Sequence, residues 1–295
     1  MSLPFGAKEK NLLLQLFGPY KRRIDEAVAG YLERWPKELP LNEPCEYALL
    51  GDAKRFRPAL VLMVAESVNK GLEAIEAALA VEFFHTASLV ADDLPAMDDD
   101  DVRRSRPSLH KVYGEATALL VTYALIAEGY SCLAKNAQRL QGMGLLTSEK
   151  ANRICVMALA NVCDNTGLLG ATGGQWLDLF PPDSTIETIR EVFRRKTVAL
   201  FEISFVLGWL YGGGEETKLG LVKEASSHFG LAFQIADDLM DEEQDRANGN
   251  KVNICLAVGR EAAQSALREE IAKYREAICR LGVETSVLAS LTDLF

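Results

Sequence analysis

The sequence predicts an all-α protein: a single large helical domain, residues 1–295, surrounding a deep central cavity. Three observations carry that reading. Apolar residues recur at three- and four-residue spacing along most of the chain, the period of helices with one buried face. No run of alternating β-branched residues is long enough for a sheet, and there is no linker or tandem repeat. Two carboxylate blocks, one from Asp92 to Asp98 and one from Asp237 to Asp241, each follow an apolar helical segment and each contain Ala-Asp-Asp-Leu. Two such helix ends, facing each other across one cavity, account for both.

Taken in order, residues 11–35 place Leu12, Leu13, Leu16, Tyr20, Ile24, Val28, Tyr31 and Leu32 at helical spacing. Residues 36–44 form a proline-bounded loop, and 46–50 open a second helix. A basic segment, 51–58, interrupts it, and Pro58 suits the first turn of the next helix, 59–68. Residues 72–93 are the long apolar helix carrying the first acidic block. Pro95 ends it and lets Asp98 fold back towards Asp92. Residues 108–114 are a short connection. Residues 115–141, 148–169, 184–211 and 216–241 read as helices, with Gly170, Gly173 and Gly174 breaking the chain before 175–179. Residues 246–251 are a turn, and 261–281 and 284–294 end the chain as helices.

Composition narrows the function. Hydrophobic residues make up 48% of the chain, enough for a substantial core, and a net charge of −10 argues against nucleic acid and anionic membrane surfaces as partners. Cys45, Cys132, Cys155, Cys163, Cys255 and Cys279 form no CxxC pair and lie mostly in apolar helical runs. They read as reduced core thiols of a cytoplasmic protein. Residues 1–11 lack a signal-peptide pattern. The most apolar runs, 116–127 and 198–211, are too short or carry Glu202, so no bilayer span is expected.

The acidic blocks suggest the chemistry. Crowded carboxylates repel one another unless a cation sits among them, and Mg2+ typically binds a few carboxylates together with substrate phosphates. A solvated acidic loop is the alternative for one block alone; recurrence at Asp237, Asp238 and Asp241 favours metal. Asp98, rather than Asp99, Asp100 or Asp101, is the expected last ligand of the first block. Lys54 and Arg57 lie near a helix N-terminus, where backbone N–H groups also attract anions; ordinary surface charge is the alternative. His85 precedes Asp92 by seven residues, about 20° away on an ideal helical wheel, and reads either as a satisfied core residue or as an anion ligand. Lys196 is either a solvated charge or a ligand reaching into the cavity. Lys251 is within reach of a phosphate at the second block. With Arg103 and Arg104, these bases ring the mouth of a cavity with apolar walls. A substrate with a diphosphate head and a hydrocarbon tail fits it, the diphosphate leaving once its charge is neutralised.

These residues resemble the motifs of the trans-isoprenyl diphosphate synthases. Asp92-Asp93-Leu94-Pro95-Ala96-Met97-Asp98, followed by Arg103-Arg104, resembles the family's first aspartate-rich motif, and Asp237-Asp238-Leu239-Met240-Asp241 the second. Lys54-Arg55-Phe56-Arg57-Pro58, His85, Gly174-Gln175 with Asp178, Lys196-Thr197 and Phe233-Gln234 match in order, so the resemblance covers nearly the whole chain. The four-residue insert between Asp93 and Asp98 is similar to the bacterial and plant farnesyl and geranylgeranyl diphosphate synthases. The resemblance implies that Asp92, Asp93, Asp98, Asp237, Asp238 and Asp241 hold about three Mg2+ ions on an allylic diphosphate (dimethylallyl, geranyl or farnesyl). It implies that Arg103, Lys196 and Lys251 contact that diphosphate, that Lys54, Arg57, His85 and Arg104 bind isopentenyl diphosphate, and that Thr197 and Gln234 line the reacting centre. It also implies a homodimer. The chain departs from the pattern at Asp52-Ala53, in place of a glycine pair, at Thr122-Tyr123, in place of Gly-Asp, and in a short loop after Asp241.

Product length is read from the helix below Asp92. One turn rises about 5.4 Å, roughly one extended isoprene unit. In the resembling farnesyl synthases an aromatic residue stands five positions before the first aspartate; here that position is Ala87, with small Ser88 beside it. Phe84, about a turn deeper and next to Phe83, is the nearest bulky candidate for a floor, with ordinary core packing as the alternative. The expected main product is geranylgeranyl diphosphate rather than farnesyl diphosphate. A class I terpene cyclase, binding one diphosphate, leaves Lys54, Arg57 and His85 without a purpose. A silent regulatory subunit would lose aspartates from one block, and this chain keeps both.

Overall fold

Thirteen α-helices and one two-stranded hairpin make up the described part of this computed structural model, which covers residues 7–68, 70–183, 185–248 and 253–295. Helix α1 (Ala7–Leu32) lies across the bundle and buries Ile24 and Val28 against it. α2 (Asn42–Leu49) and α3 (Phe56–Val68) follow, with Pro58 in the first turn of α3 as expected. α4 (Ile75–Asp92) ends at the first acidic block. α3 and α4 are apolar on nearly every side and are buried accordingly. The chain past Asp92 doubles back, and the Asp98 amide donates to the Asp92 carbonyl at 2.9 Å.

The hairpin pairs β1 (Val102–Arg103) with β2 (Arg106–Pro107), antiparallel, Arg103 opposite Arg106. Arg104 and Ser105 form its turn with φ of 53° and 62°, the double left-handed backbone of a tight two-residue connection. The segment expected to be a plain connection contains α5 (Leu109–Tyr113). α6 (Glu115–Gly142) packs along α4, and buried Asn136 accepts from the Ala77 amide and donates to the Glu73 carbonyl. α7 (Ser148–Thr166) starts at a Thr147 cap and ends before the glycines. α8 (Ala171–Leu179) is short.

The segment expected as one helix over 184–211 is three pieces: α9 (Ile186–Val192), a π-helical stretch (Phe193–Val198) and α10 (Ala199–Tyr211). α10 is apolar apart from Glu202 and Ser204, and nearly all of it is buried. Phe56, Phe201, Phe229 and Tyr274 join α3 and α10 to α11 (Leu219–Asn248) and α13 (Arg260–Leu281) through ring contacts of 5.3–6.1 Å. α11 runs past the predicted end at Asp241, so Arg246 is helical rather than in a turn; Lys251 lies outside the described residues. α12 (Ile254–Val258) is short and capped by Asn253, and the predicted last helix is only a 3-10 turn, Ala289–Leu294.

By length and composition, Glu115–Gly142 and Ser148–Leu179 are each apolar enough to cross a bilayer, contrary to the expectation from the shorter runs. Both belong to the bundle. Glu128 on the first accepts from Tyr31 of α1, and the second is broken between α7 and α8.

Candidate active site

The first block divides into two kinds of carboxylate. Asp92 and Asp98 turn towards Lys196, whose ammonium feels both. Asp98 also accepts a long, 3.5 Å bond from Gln175 of α8. Asp93 is buried and engaged: Arg103 donates to its Oδ1 from Nε at 2.8 Å and Nη2 at 2.5 Å, and also reaches Asp100. A small hollow lined by Thr86, Val90, Asp93, Arg103 and Arg104 backs this block.

The second block divides the same way. Asp238, 4% exposed, accepts from the Ile254 amide at 2.6 Å and from Gln234 Nε2 at 2.9 Å, tying α11 to α12. Gln234 Oε1 accepts from Thr197 Oγ1 at 2.9 Å, so Thr197, Gln234 and Asp238 form one chain of hydrogen bonds. Asp237 and Asp241, one turn apart, have neither hydrogen bond nor ion pair among the described residues. Asp245, unnoticed in the sequence, extends their face by another turn; the i, i+4, i+8 spacing was the available signal.

Between the blocks lies Lys196. Its ammonium pairs with Asp178, and against the effect of burial Asp178 first, then Asp92 and Asp98, raise its pKa. The π-helical stretch inserts an extra residue per turn and directs Lys196 and Thr197 to the two sides of the cleft. α8 reaches this stretch because Gly174 has no side chain. A Cβ there would meet the Lys196 backbone nitrogen at 2.5 Å.

The basic residues gather on α3, α4 and the hairpin. Arg55 turns inward from a left-handed backbone (φ 53°) and binds Asp25, the Leu49 carbonyl and Glu82. Arg104 also donates to Glu82, at 3.1 Å, and to the Ala48 carbonyl. Glu82 has no exposed surface; a buried carboxylate of this kind persists only when paired, and it anchors both arginines. Sequence reasoning missed it, although a lone acid within the apolar helix ahead of Asp92 was the signal. Lys54 is on the surface near Asp237. Arg57 stacks on the Phe201 ring at 4.9 Å, and its Nε is buried without a protein partner. His85 Nδ1 is likewise buried and unpartnered. Burial first, then Arg57, Arg104 and Arg103, hold the His85 pKa well below its usual value, so the ring is neutral. The orphaned Arg57 Nε–H, and His85 Nδ1 in the tautomer that carries its proton there, suit an anion.

The residues expected to set chain length lie on α4 ahead of Asp92. Ser88 is half-buried and donates to the His85 carbonyl. Ala87 is buried where α4 meets α6, and the Thr122 hydroxyl approaches its carbonyl at 3.5 Å. Phe84 packs edge-on to Tyr130 at 5.1 Å.

Burial raises the pKa of Asp92 and Asp237 to about 6 and of Asp238 to about 7. For an acid whose folded pKa lies above the unfolded value of about 3.9, the stabilising protonated form is fully present below pH ~4 and lost as pH rises through about 6 to 7. In chelator-treated protein, Asp237→Asn therefore raises Tm at pH 8 by about 3 °C or more and leaves Tm at pH 4 unchanged. A calorimetric scan at both pH values checks this; equal shifts at both would remove the buried charge as the cause.

The donor set fits a divalent ion shared with a phosphate. Among the described residues no three carboxylates close a cage around one point, but unpaired Asp92 and Asp98 on one side and Asp237 and Asp241 on the other are hard oxygen donors in want of a cation.

The chain is thus a helical bundle with two acidic blocks and a group of basic residues beside them. The family model described as polyprenyl synthetase matches its residues 38–255. The chain is 31% identical over 269 residues to the farnesyl diphosphate synthase of Bacillus subtilis (strain 168), covering 90% of this chain and 88% of that one. It is 37% identical over 292 residues to the chloroplastic geranylgeranyl pyrophosphate synthase 9 of Arabidopsis thaliana, covering 91% and 79%. Its structure matches a geranyltransferase from Legionella pneumophila with a TM-score of 0.80 at 26% identity, covering 96% of both chains. It also matches an FPP/GFPP synthase from Zymomonas mobilis with a TM-score of 0.79 at 28% identity, covering 97% of both. The chain belongs to the polyprenyl synthetase family: it is a polyprenyl diphosphate synthase, a trans-prenyltransferase. The family uses a divalent metal and acts on isopentenyl and allylic diphosphates.

Proposed function

We propose that this protein is a geranylgeranyl diphosphate synthase, a cytoplasmic homodimer that extends dimethylallyl, geranyl and farnesyl diphosphates with isopentenyl diphosphate. The observation that carries two diphosphate sites is the pair of buried, unpartnered nitrogens, Arg57 Nε and His85 Nδ1, in addition to the two acidic blocks. A cyclase has one diphosphate to bind and no use for them.

Asp92, Asp98, Asp237 and Asp241 hold Mg2+, about three ions by analogy with a shared-phosphate site, and Asp93 and Asp238 brace them from behind. Bound there, the metal neutralises charge on the departing diphosphate. Lys196 exchanges Asp178 for the allylic diphosphate, joined by Arg103 and Lys251. Lys54, Arg57, His85 and Arg104 hold isopentenyl diphosphate. The allylic C–O bond breaks and leaves an allylic cation beside Thr197 and Gln234. The isopentenyl double bond attacks its first carbon, and the resulting tertiary cation loses a proton to the released diphosphate. An exposed apolar row on α6, Leu119, Leu120 and Tyr123, supports the homodimer.

Small residues at Ala87 and Ser88 leave room for the longer product, with Phe84 as its floor. Farnesyl diphosphate is the second reading, favoured by buried Thr122, whose side chain adds bulk at the level of Ala87. Incubation with isopentenyl diphosphate and each starter, followed by chromatography of the dephosphorylated products, is expected to give geranylgeraniol. Ala87→Tyr is expected to shorten it to farnesol, and Phe84→Ala to lengthen it. A wild-type product of farnesol, unchanged by Ala87→Tyr, rejects the assignment.

A further inference from the structure

We propose that Gly129, on α6, sets product length by deciding where the Phe84 ring rests; this deepens the reading of Phe84 as the floor and depends on it. A Cβ at position 129 would lie 2.5 Å from Phe84 Cε1, 2.7 Å from Cζ and 2.9 Å from Cδ1. All three contacts are on one edge of a rigid ring, so the ring must move as a whole. Gly129 is buried mid-helix with no left-handed backbone to explain it, and a glycine there costs about 1 kcal/mol against alanine. What it provides is room.

The ring has few directions in which to move. α4 is behind it. Tyr130 stands at its edge with planes 63° apart, and Thr166 and Cys163 of α7 lie close to the Tyr130 hydroxyl. Phe83, on the deeper side, is fully buried against Tyr31. The direction these contacts leave is upward along α4, towards half-buried Ser88 and the acidic block. A methyl group at position 129 therefore pushes the floor into the space the growing chain occupies. The helix facing α4, and not only the one bearing the aspartates, is thus part of the ruler.

The test is product analysis of Gly129→Ala, Phe84→Leu and the double variant, with Tm and circular dichroism recorded for each. Gly129→Ala is expected to shorten the main product by one isoprene unit, with the rate of the first condensation changed less than about twofold. Phe84→Leu lengthens it, and adding Gly129→Ala to Phe84→Leu returns it towards the wild-type length, because the methyl fills the space the ring has left. If Phe84→Leu alters product length but the double variant matches Phe84→Leu, the role of Gly129 is overturned while the floor stands, even where Gly129→Ala alone fails to fold. If Phe84→Leu leaves product length unchanged, the floor reading falls and this inference with it.

Discussion

Asp237→Ala lowers turnover by about three orders of magnitude without loss of helix content. Asp237 is 4% exposed, has neither hydrogen bond nor ion pair among the described residues, and is driven to a raised pKa by burial and by Asp241. Such a carboxylate costs the fold stability and is of use only once a cation arrives. Removing one element of a preorganised electrostatic site costs about 10²–10³ in rate, and here the loss extends to the charge on a leaving diphosphate, whose neutralisation is worth several kcal/mol. Asp238→Ala gives the contrasting result. It frees the Ile254 amide and Gln234, each a buried donor, so Tm falls along with activity. Circular dichroism, Tm and Mg2+-dependent turnover of the two variants check the distinction. Near-normal turnover in Asp237→Ala would refute the arrangement of two acidic blocks around one diphosphate.

The helices were legible because period and punctuation agree. Leu72 to Val90 is apolar, Pro95 follows, and α4 ends between them. Other features leave little trace in sequence. The π-helical stretch at Phe193–Val198 has the same composition as an α-helix, so residues 184–211 looked continuous. The hairpin turn uses Arg104 and Ser105 in left-handed conformations without the glycine or asparagine that signals such turns. The motifs singled out these carboxylates without distinguishing among them. Which ones face the cleft depends on Arg103, Ile254 and Gln234, donors from three different elements. Arg55 was passed over inside its own motif, because the inward turn of its backbone and its partner Glu82 are set by tertiary packing.

Arg57→Ala and Lys196→Ala are expected to separate the two diphosphate sites. Arg57 lies against Phe201, and burial pushes its pKa down to about 10 even though Glu82 and Asp237 favour the charge. It remains a cation at neutral pH, with an unpartnered buried Nε. A charge-assisted hydrogen bond is worth about 1.5–3 kcal/mol, so Arg57→Ala raises KM for isopentenyl diphosphate about 10- to 100-fold. At saturating substrate kcat changes little, because that head group does not leave in the reaction. Lys196 stands between Asp178, Asp92 and Asp98, where, on the proposed function, the leaving diphosphate gathers charge. Lys196→Ala therefore lowers kcat, by about 10²-fold, and affects KM for the allylic substrate more than for isopentenyl diphosphate. Steady-state kinetics with each substrate varied in turn give the split. If both variants raised both KM values equally, the basic residues around Arg57 and the site at Lys196 would serve one diphosphate, and the two-substrate reading of the cleft would not survive.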